Sequence, residues 1–367
     1  MTAARIVVFG ATGYTGTLLA RALVKRGARP VLAGRSKEKL SSLAAQLGGL
    51  ETHVADVSNP ASIQSALRAG DVLVSTVGPF LRWGDAAVSA AIGARAIYLD
   101  STGEPGFIRK VFEHYGPLAH ERSSTLLTAS GFDWVPGNLA SALALTKAGG
   151  SAARLEVAYL LNGTSAESGG AQASAAAALI APSFAYRDGG LTSERTAARA
   201  LRVTDSNGQS RWVLSAGGTE HLTMPELFPH VRDIEVGLGL YGAASVAVPY
   251  VSAALNAGMR VPFLARVIRR AVERSATGST GGPSDEARAA GSTNVIARAY
   301  SADRELLHSV SLSGLDGFTF TANFLAWAAI QAASGGVRAA GALGPVQAFG
   351  IEALTEGVRQ SGLSIAT

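Results

Sequence analysis

Gly10-Ala11-Thr12-Gly13-Tyr14-Thr15-Gly16 closes one apolar run, Arg5–Gly10 (RIVVFG), and opens a helix-like segment, Tyr14–Arg26. Each glycine has its own physical task in a strand–turn–helix unit. Gly10 permits the tight turn, Gly13 lets the backbone approach a pyrophosphate, and Gly16 allows the helix to pack closely on a sheet. Thr12, Tyr14 and Thr15 complete the loop, and phosphates held there would lie at the positive end of the helix. A glycine triplet is weak support on its own in a chain with 43 glycines. The elements that follow decide its meaning.

Five further apolar runs arrive at regular intervals: Arg29–Gly34 (RPVLAG), Thr52–Ala55 (THVA), Asp71–Val77 (DVLVSTV), Ala96–Asp100 (AIYLD) and Ser124–Ser130 (STLLTAS). They are short, rich in Val, Ile and Leu, and bounded by Gly, Asp or Ser, as buried parallel strands are. Helix-like segments at Lys37–Leu47, Pro60–Arg68, Asp85–Gly93 and Pro105–Arg122 separate them. This alternation predicts an α/β domain over residues 1–150, a doubly wound parallel sheet of Rossmann type that binds a dinucleotide. After Gly150 the rhythm changes. Longer runs at Arg154–Leu161, Ser210–Ala216, Thr293–Tyr300 and Glu305–Leu312 predict a second α+β domain with a mixed or antiparallel sheet, over residues 151–318. Gly278–Gly291 reads as an exposed loop, and Thr321–Ala333 and Gln347–Gln360 as helices of a C-terminal segment, 319–367, that returns to the first domain.

Ligands of such sheets bind beyond the carboxyl ends of the strands. After the second strand an NAD-selective site usually carries an acid; here the chain reads Ala33-Gly34-Arg35-Ser36-Lys37, with no acid before Glu38. Arg35 can fork onto a 2′-phosphate, Ser36 can donate to it, and Lys39 can add charge, so NADP(H) is the expected cofactor. The alternative is a surface arginine capping the strand. Asp56 is placed to meet the adenine, or else to cap the helix near Pro60. Thr76, Val77, Gly78 and Pro79 would meet the nicotinamide half, and Ser101, Gly131 and Phe132 belong to further loops on the same edge. Candidate acids near the sheet edge are Asp100, Glu104 and Asp133, with Tyr98 and Tyr159 more distant. Asp133 lies between two aromatics in Ser130–Gly137 (SGFDWVPG), where partial withdrawal from water suits general-acid use. Capping the helix near Pro136 is the plainer reading of the same residue.

Composition narrows the function classes. The chain of 367 residues has no cysteine, which removes disulfides, thiolate nucleophiles and zinc–thiolate sites, and its six histidines show no paired metal spacing, so no metal is expected. The net charge of +5 is dispersed, without the basic, aromatic-interleaved tract of a nucleic-acid binder. No Tyr is followed four residues later by Lys, and no serine stands in a Gly-x-Ser-x-Gly elbow. Met1–Arg5 runs straight into the first strand, leaving no room for a signal peptide, so the cytoplasm is the expected compartment. Val236–Met259 is uncharged and long enough to span a bilayer, but its Gly, Ala, Ser and Val content favours a buried helix pair or subunit interface. Arg260, Arg266, Arg269 and Arg270, interleaved with apolar residues, leave peripheral membrane or lipid contact open.

The combination resembles the saccharopine dehydrogenase-like reductases, and most closely the branch of trans-acting enoyl reductases. The likeness rests on GATGYTG (10–16), AGRSKEKL (33–40), STVGPF (75–80), YLDSTGE (98–104) and GFDWVPG (131–137). Looser matches follow at SGGAQAS (168–174), GPSDEAR (282–288) and FTFTANFLAWAA (318–329). The resemblance implies a Rossmann domain with an inserted substrate domain, NADP(H), a homodimer, and reduction of a C=C in a hydrophobic or carrier-linked substrate. Saccharopine-type relatives instead act on C=N or C=O bonds, and other relatives are lipid-surface proteins without a settled activity. No arginine cluster for a dicarboxylate is evident here, and the Gly/Ala-rich uncharged tract suits an apolar substrate.

Overall fold

A computed structural model describes residues 4–162, 169–205, 208–239, 242–275 and 281–366. The chain divides into two compact units. The first holds residues up to Thr102, Phe107–Phe132 and Phe318–Gly362; the second holds Gly103–Gly106, Asp133–Gly317 and the chain from Leu363.

In the first unit, β1 (Ile6–Phe9), β2 (Val31–Gly34), β3 (Thr52–Val54), β4 (Val72–Ser75), β5 (Ile97–Asp100) and β6 (Thr125–Leu127) form a parallel sheet. A two-residue strand, Gly341–Ala342, adds to the β6 edge and makes seven strands among the described residues, in the order Gly341–Ala342, β6, β5, β4, β1, β2, β3. β1, β2 and β4 are wholly buried, which is why their sequences are continuous apolar runs without alternation. The order from β3 to β6 is that of the Rossmann fold, and the chain reverses direction between β1 and β4. The glycine loop follows β1 and the Thr76 loop follows β4, so both lie at this switch point.

Two local differences from the sequence reading have plain causes. The expected helix over 105–122 contains a five-residue π-helical stretch, Val111–Tyr115. The expected helix 347–360 is two helices, Pro345–Phe349 and Ile351–Gln360, because Gly350 between them takes φ +79°.

The second unit contains β7 (Arg154–Asn162), β8 (Pro182–Arg187), β9 (Gly190–Arg195), β10 (Ala200–Thr204), β11 (Ser210–Ser215), β12 (Asp233–Gly239), β13 (Ser292–Tyr300) and β14 (Leu306–Gly314). With the C-terminal strand Leu363–Ala366 they make a mixed sheet in which β7 and β12 run parallel and the other pairs are antiparallel. The helix Val135–Ala148 belongs to this unit, and nearly every residue of its first three turns is buried. The uncharged tract 236–259 resolves into part of β12, a 3₁₀ turn (Gly242–Val246) and an eleven-residue helix, Val248–Gly258. No helix among the described residues is long and apolar enough to cross a membrane, which removes the reading of this tract as a span. Ser168 and residues 278–280, the starts of two motifs noted above, lie outside the described residues.

Candidate active site

The glycine loop is shaped by contacts that leave no room for side chains. Gly10 takes φ +86°, and a Cβ there would lie 2.7 Å from Thr76 Oγ1; at Gly16 it would lie 2.2 Å from the Gly10 carbonyl oxygen. The backbone N–H of Gly10 and that of Ala11 both donate to the Ala33 carbonyl, at 2.9 and 3.2 Å, pinning the loop to the end of β2. Thr76 closes the other side, its hydroxyl donating to the Phe9 and Gly10 carbonyls at 3.2 Å each. The helix Tyr14–Lys25 then starts at Gly13 with no side-chain cap and no acid in its first turn. Such a start presents positive potential to an anion. Thr12, Tyr14 and Thr15 are half-buried around it. Tyr14 packs edge-on against Phe318, with ring centroids 5.2 Å apart.

Arg35 and Lys39 are exposed just beyond β2, while Ser36 is engaged as a helix cap. Its oxygen accepts from the Lys39 N–H at 3.3 Å, and its hydroxyl donates to Glu38 at 3.0 Å. Asp56 does not cap the helix at Pro60, whose N-cap is Asn59. It accepts from the hydroxyl and N–H of Ser58, at 2.6 and 2.8 Å, and those bonds, with help from the Arg35 charge, hold its pKa below the usual carboxylate value. Val77, Gly78 and Pro79 form a half-buried loop with a cis bond at Gly78-Pro79. Ser101 is half-buried after β5. Gly131 and Phe132 are buried: Phe132 N–H donates to Thr321 Oγ1 at 2.9 Å, and its ring meets Phe320 edge-on.

Asp100 is fully buried at the end of β5. One carboxylate oxygen accepts from the Thr102 and Ala129 N–H groups, at 2.9 and 2.8 Å, and the other from the Thr128 hydroxyl at 2.8 Å. Both oxygens are therefore used in clamping the β5 and β6 loops together. Burial raises its pKa to about 6, against the pull of these donors.

The second unit holds a separate group of acids. Tyr159, on β7, points at the start of the helix Val135–Ala148 and accepts from the Gly137 N–H at 3.0 Å. Its own hydroxyl donates to Glu220 Oε1 at 2.5 Å. Both side chains are buried, and Glu220 Oε2 has no hydrogen-bond partner. Burial is the main reason that Glu220 is raised to about 8, and the nearby charge of Asp133 adds to it. Tyr159 is raised too, first by burial and then by Glu220. Asp133 itself is half-buried, so it is the outermost acid of the three.

Around them the packing is tight and strained. Trp134 adopts φ +90°, a region that bulky residues seldom enter, and lies edge-on to Tyr159 with centroids 5.6 Å apart. Asn138 braces this turn by donating to the Trp134 carbonyl and to Thr219, at 2.8 and 2.7 Å, and accepting from Thr223 at 2.8 Å. A Cβ on Gly137 would lie 2.0 Å from Tyr159 Oη and 2.4 Å from Glu220 Oε1. His221 is buried beside them and accepts from the Gly218 N–H at 3.0 Å; burial lowers its pKa to about 4, so it is neutral.

Sequence reasoning singled out Asp133 and Tyr159 but missed Glu220, Asn138 and His221. Glu220 lies 61 residues from Tyr159, in a short helix, Glu220–Leu227, with no apolar periodicity to announce that its first residue points inward. The one available signal was Gly217-Gly218: a Cβ on Gly218 would lie 2.4 Å from the Trp134 ring and 2.6 Å from Glu220 Oε2, and one on Gly217 would lie 2.9 Å from Ser183 Oγ.

Residues 6–127 match the sequence family described as the saccharopine dehydrogenase NADP binding domain. A trans-acting enoyl reductase of Mycobacterium ulcerans is 37% identical over 140 residues, covering 36% of this chain and 34% of that protein. One from Mycobacterium tuberculosis is 36% identical over 140 residues, with the same two shares. The match thus spans about a third of the length of these curated relatives. Among solved structures, the apo saccharopine dehydrogenase (L-Glu forming) of Saccharomyces cerevisiae aligns over 99% of both chains with a TM-score of 0.63 and 12% identity, a likeness of fold.

Proposed function

With residues 6–127 forming an NADP-binding domain of the saccharopine dehydrogenase family, we propose that this chain is a reductase that adds hydride to an activated C=C of a hydrophobic, carrier-linked substrate. The observation that carries the reductase part is the glycine loop at the β1–β4 switch point, where added Cβ atoms would collide and the helix start is left uncapped. The pyrophosphate is assigned to Gly10–Gly16, the 2′-phosphate to Arg35 and Lys39, and the nicotinamide half to Thr76–Pro79. Ser101, Gly131 and Phe132 line the same edge in this reading, and Ser36 and Asp56 contribute only by exchanging their present partners.

Bound NADPH supplies the hydride. The chain's own tasks are to orient the acceptor, exclude water and deliver one proton to the carbon next to the one reduced. Asp133, the outermost acid, is assigned proton delivery, with the buried Tyr159–Glu220 pair holding a proton behind it. Asp100 is assigned no proton transfer, because both its oxygens are committed to the clamp. The enoyl assignment draws on the names of the relatives.

Hydride transfer from NADPH deuterated at C4, each face labelled separately, tests this on a panel of α,β-unsaturated thioesters, cyclic imines and ketones. Deuterium at the β-carbon is the expected result. Label on an imine or carbonyl carbon would replace the enoyl reading with a saccharopine-type one.

A further inference from the structure

Seven of the twelve large apolar side chains exposed among the described residues lie between Val246 and Val267. Five of them belong to two successive helices of the second unit, Val248–Gly258 and Pro262–Ser275, that pack together where Ile268 meets Gly258, and Val246 and Val261 stand just before those helices. The first helix is turned opposite to expectation. Its polar residues face the protein: Ser252 donates to the Thr196 carbonyl at 2.6 Å, and Asn256, one turn on, donates to the Leu179 carbonyl at 3.1 Å. Tyr250 and Val251 face outward, 76% and 53% exposed, while Val248 and Leu255 are half-buried.

The second helix divides its apolar arc in two. Ala265, Ile268 and Val272, spaced three and four apart, are half-buried against the protein. Phe263, Val267 and Ala271, four apart along the neighbouring row, are exposed, and Phe263 is 70% exposed. Arg266, Arg269 and Arg270 occupy the remaining side of the helix, and Arg260 precedes it. From Val246 to the end of the second helix at Ser275 there are five arginines and one acidic residue, Glu273.

We propose that this face docks on an anionic lipid bilayer, with both helices lying in the plane of its surface. An exposed apolar strip bordered by arginines places side chains among acyl chains and guanidinium groups among lipid phosphates at the same depth. The helices have eleven and fourteen residues, which suits lying on a bilayer and not crossing it. Charge also separates this occupant from a second copy of the chain. An isologous contact would bring the arginine row against its own copy, with Glu273 as the one acid in the two helices against five arginines from Arg260 to Arg274. The proposal does not rest on the reductase reading.

The test is flotation of the full chain with vesicles of phosphatidylcholine alone and of phosphatidylcholine mixed with phosphatidylglycerol. Binding is expected to the anionic vesicles and to weaken with added salt. The triple variant Arg266→Glu, Arg269→Glu, Arg270→Glu should lose about a hundredfold or more in affinity, and the corresponding lysine variant should retain it. Phe263→Ser with Tyr250→Ser should also release the protein. All these positions are exposed, and unchanged thermal melting confirms that each variant folds. No binding to anionic vesicles, equal binding to neutral ones, or binding that survives both sets of substitutions overturns the proposal. A dimer of the native chain that dissociates when Phe263 and Tyr250 are replaced would assign the face to a second copy and overturn it equally.

Discussion

Replacing Glu220 with Gln removes one titration from the second unit and leaves its shape intact, since Gln Oε1 still accepts from the Tyr159 hydroxyl. Below pH 4.5 the native carboxyl is protonated in the folded and the unfolded chain alike. Between 4.5 and about 8 the folded chain keeps a proton that the unfolded chain releases, so stability falls as pH rises. Above about 8 the loss is complete. A shift from 4.5 to about 8 corresponds to roughly 5 kcal/mol at 1.36 kcal/mol per unit, of which about 4 kcal/mol accrues between pH 5 and 8.5. The glutamine variant should lack this component, so its stability relative to the native chain should rise by about 4 kcal/mol over that interval. Urea unfolding of both proteins at matched pH gives the difference, in which titrating groups that do not interact with Glu220 cancel. Infrared spectroscopy supplies a direct check, because the native protein at pH 7 should show a protonated-carboxyl C=O band that the variant lacks. Parallel stability profiles, or an ionised Glu220 at pH 7, would refute the reasoning.

Other substitutions separate the remaining roles. Arg35→Ala should weaken NADPH by about 10- to 100-fold and NADH little, measured by fluorescence titration; equal losses would remove the 2′-phosphate assignment. Asp133→Asn should lower kcat by about 100-fold or more with NADPH affinity unchanged, and undiminished turnover would free Asp133 of proton delivery. Gly137→Ala should lower stability by about 1–3 kcal/mol or more, because its Cβ would lie 2.0 Å from Tyr159 Oη, and an unaltered Tm would show that the Tyr–Glu pair yields easily.

The parallel sheet was legible because β1, β2, β4, β5 and β6 are buried or nearly buried apolar runs, each followed by a residue type that a loop tolerates, while β3 (THV), on the edge and mostly exposed, was placed by its regular spacing. The glycine loop was legible for the same reason: Gly10 and Gly16 answer to contacts within a few residues or across one strand. The second sheet was read in part. β7, β11, β13 and β14 carry Val, Leu and Tyr at strand spacing, whereas β9 (GLTSER) has no apolar alternation, and β10 (ALRVT) offers only Leu201 and Val203, half-buried, over five residues. The C-terminal strand, LSIA, is too short to be told from a helix end. For Asp56 the alternative of capping the helix near Pro60 falls away, because in space its carboxylate is satisfied by Ser58, two residues on, and Asn59 is the N-cap.

Two buried carboxyls, both withdrawn from water, end in different states because they meet different donors. Asp100 receives two backbone N–H groups and the Thr128 hydroxyl, which favour its charged form and hold it to about 6. Glu220 receives the Tyr159 hydroxyl, keeps one oxygen without a partner and feels Asp133, so it reaches about 8. At neutral pH Asp100 is therefore mainly an ion consumed in holding two loops, while Glu220 is an acid that still carries its proton. A chain position cannot announce this difference, since it depends on how many N–H and O–H groups distant segments bring to each oxygen. Removing one donor from Asp100 tests the argument: Thr128→Val should push the Asp100 pKa upward from about 6, by direct titration, and leave Glu220 unchanged. If Asp100 kept its value without the Thr128 hydroxyl, donor count would not be what sets these two carboxyls apart.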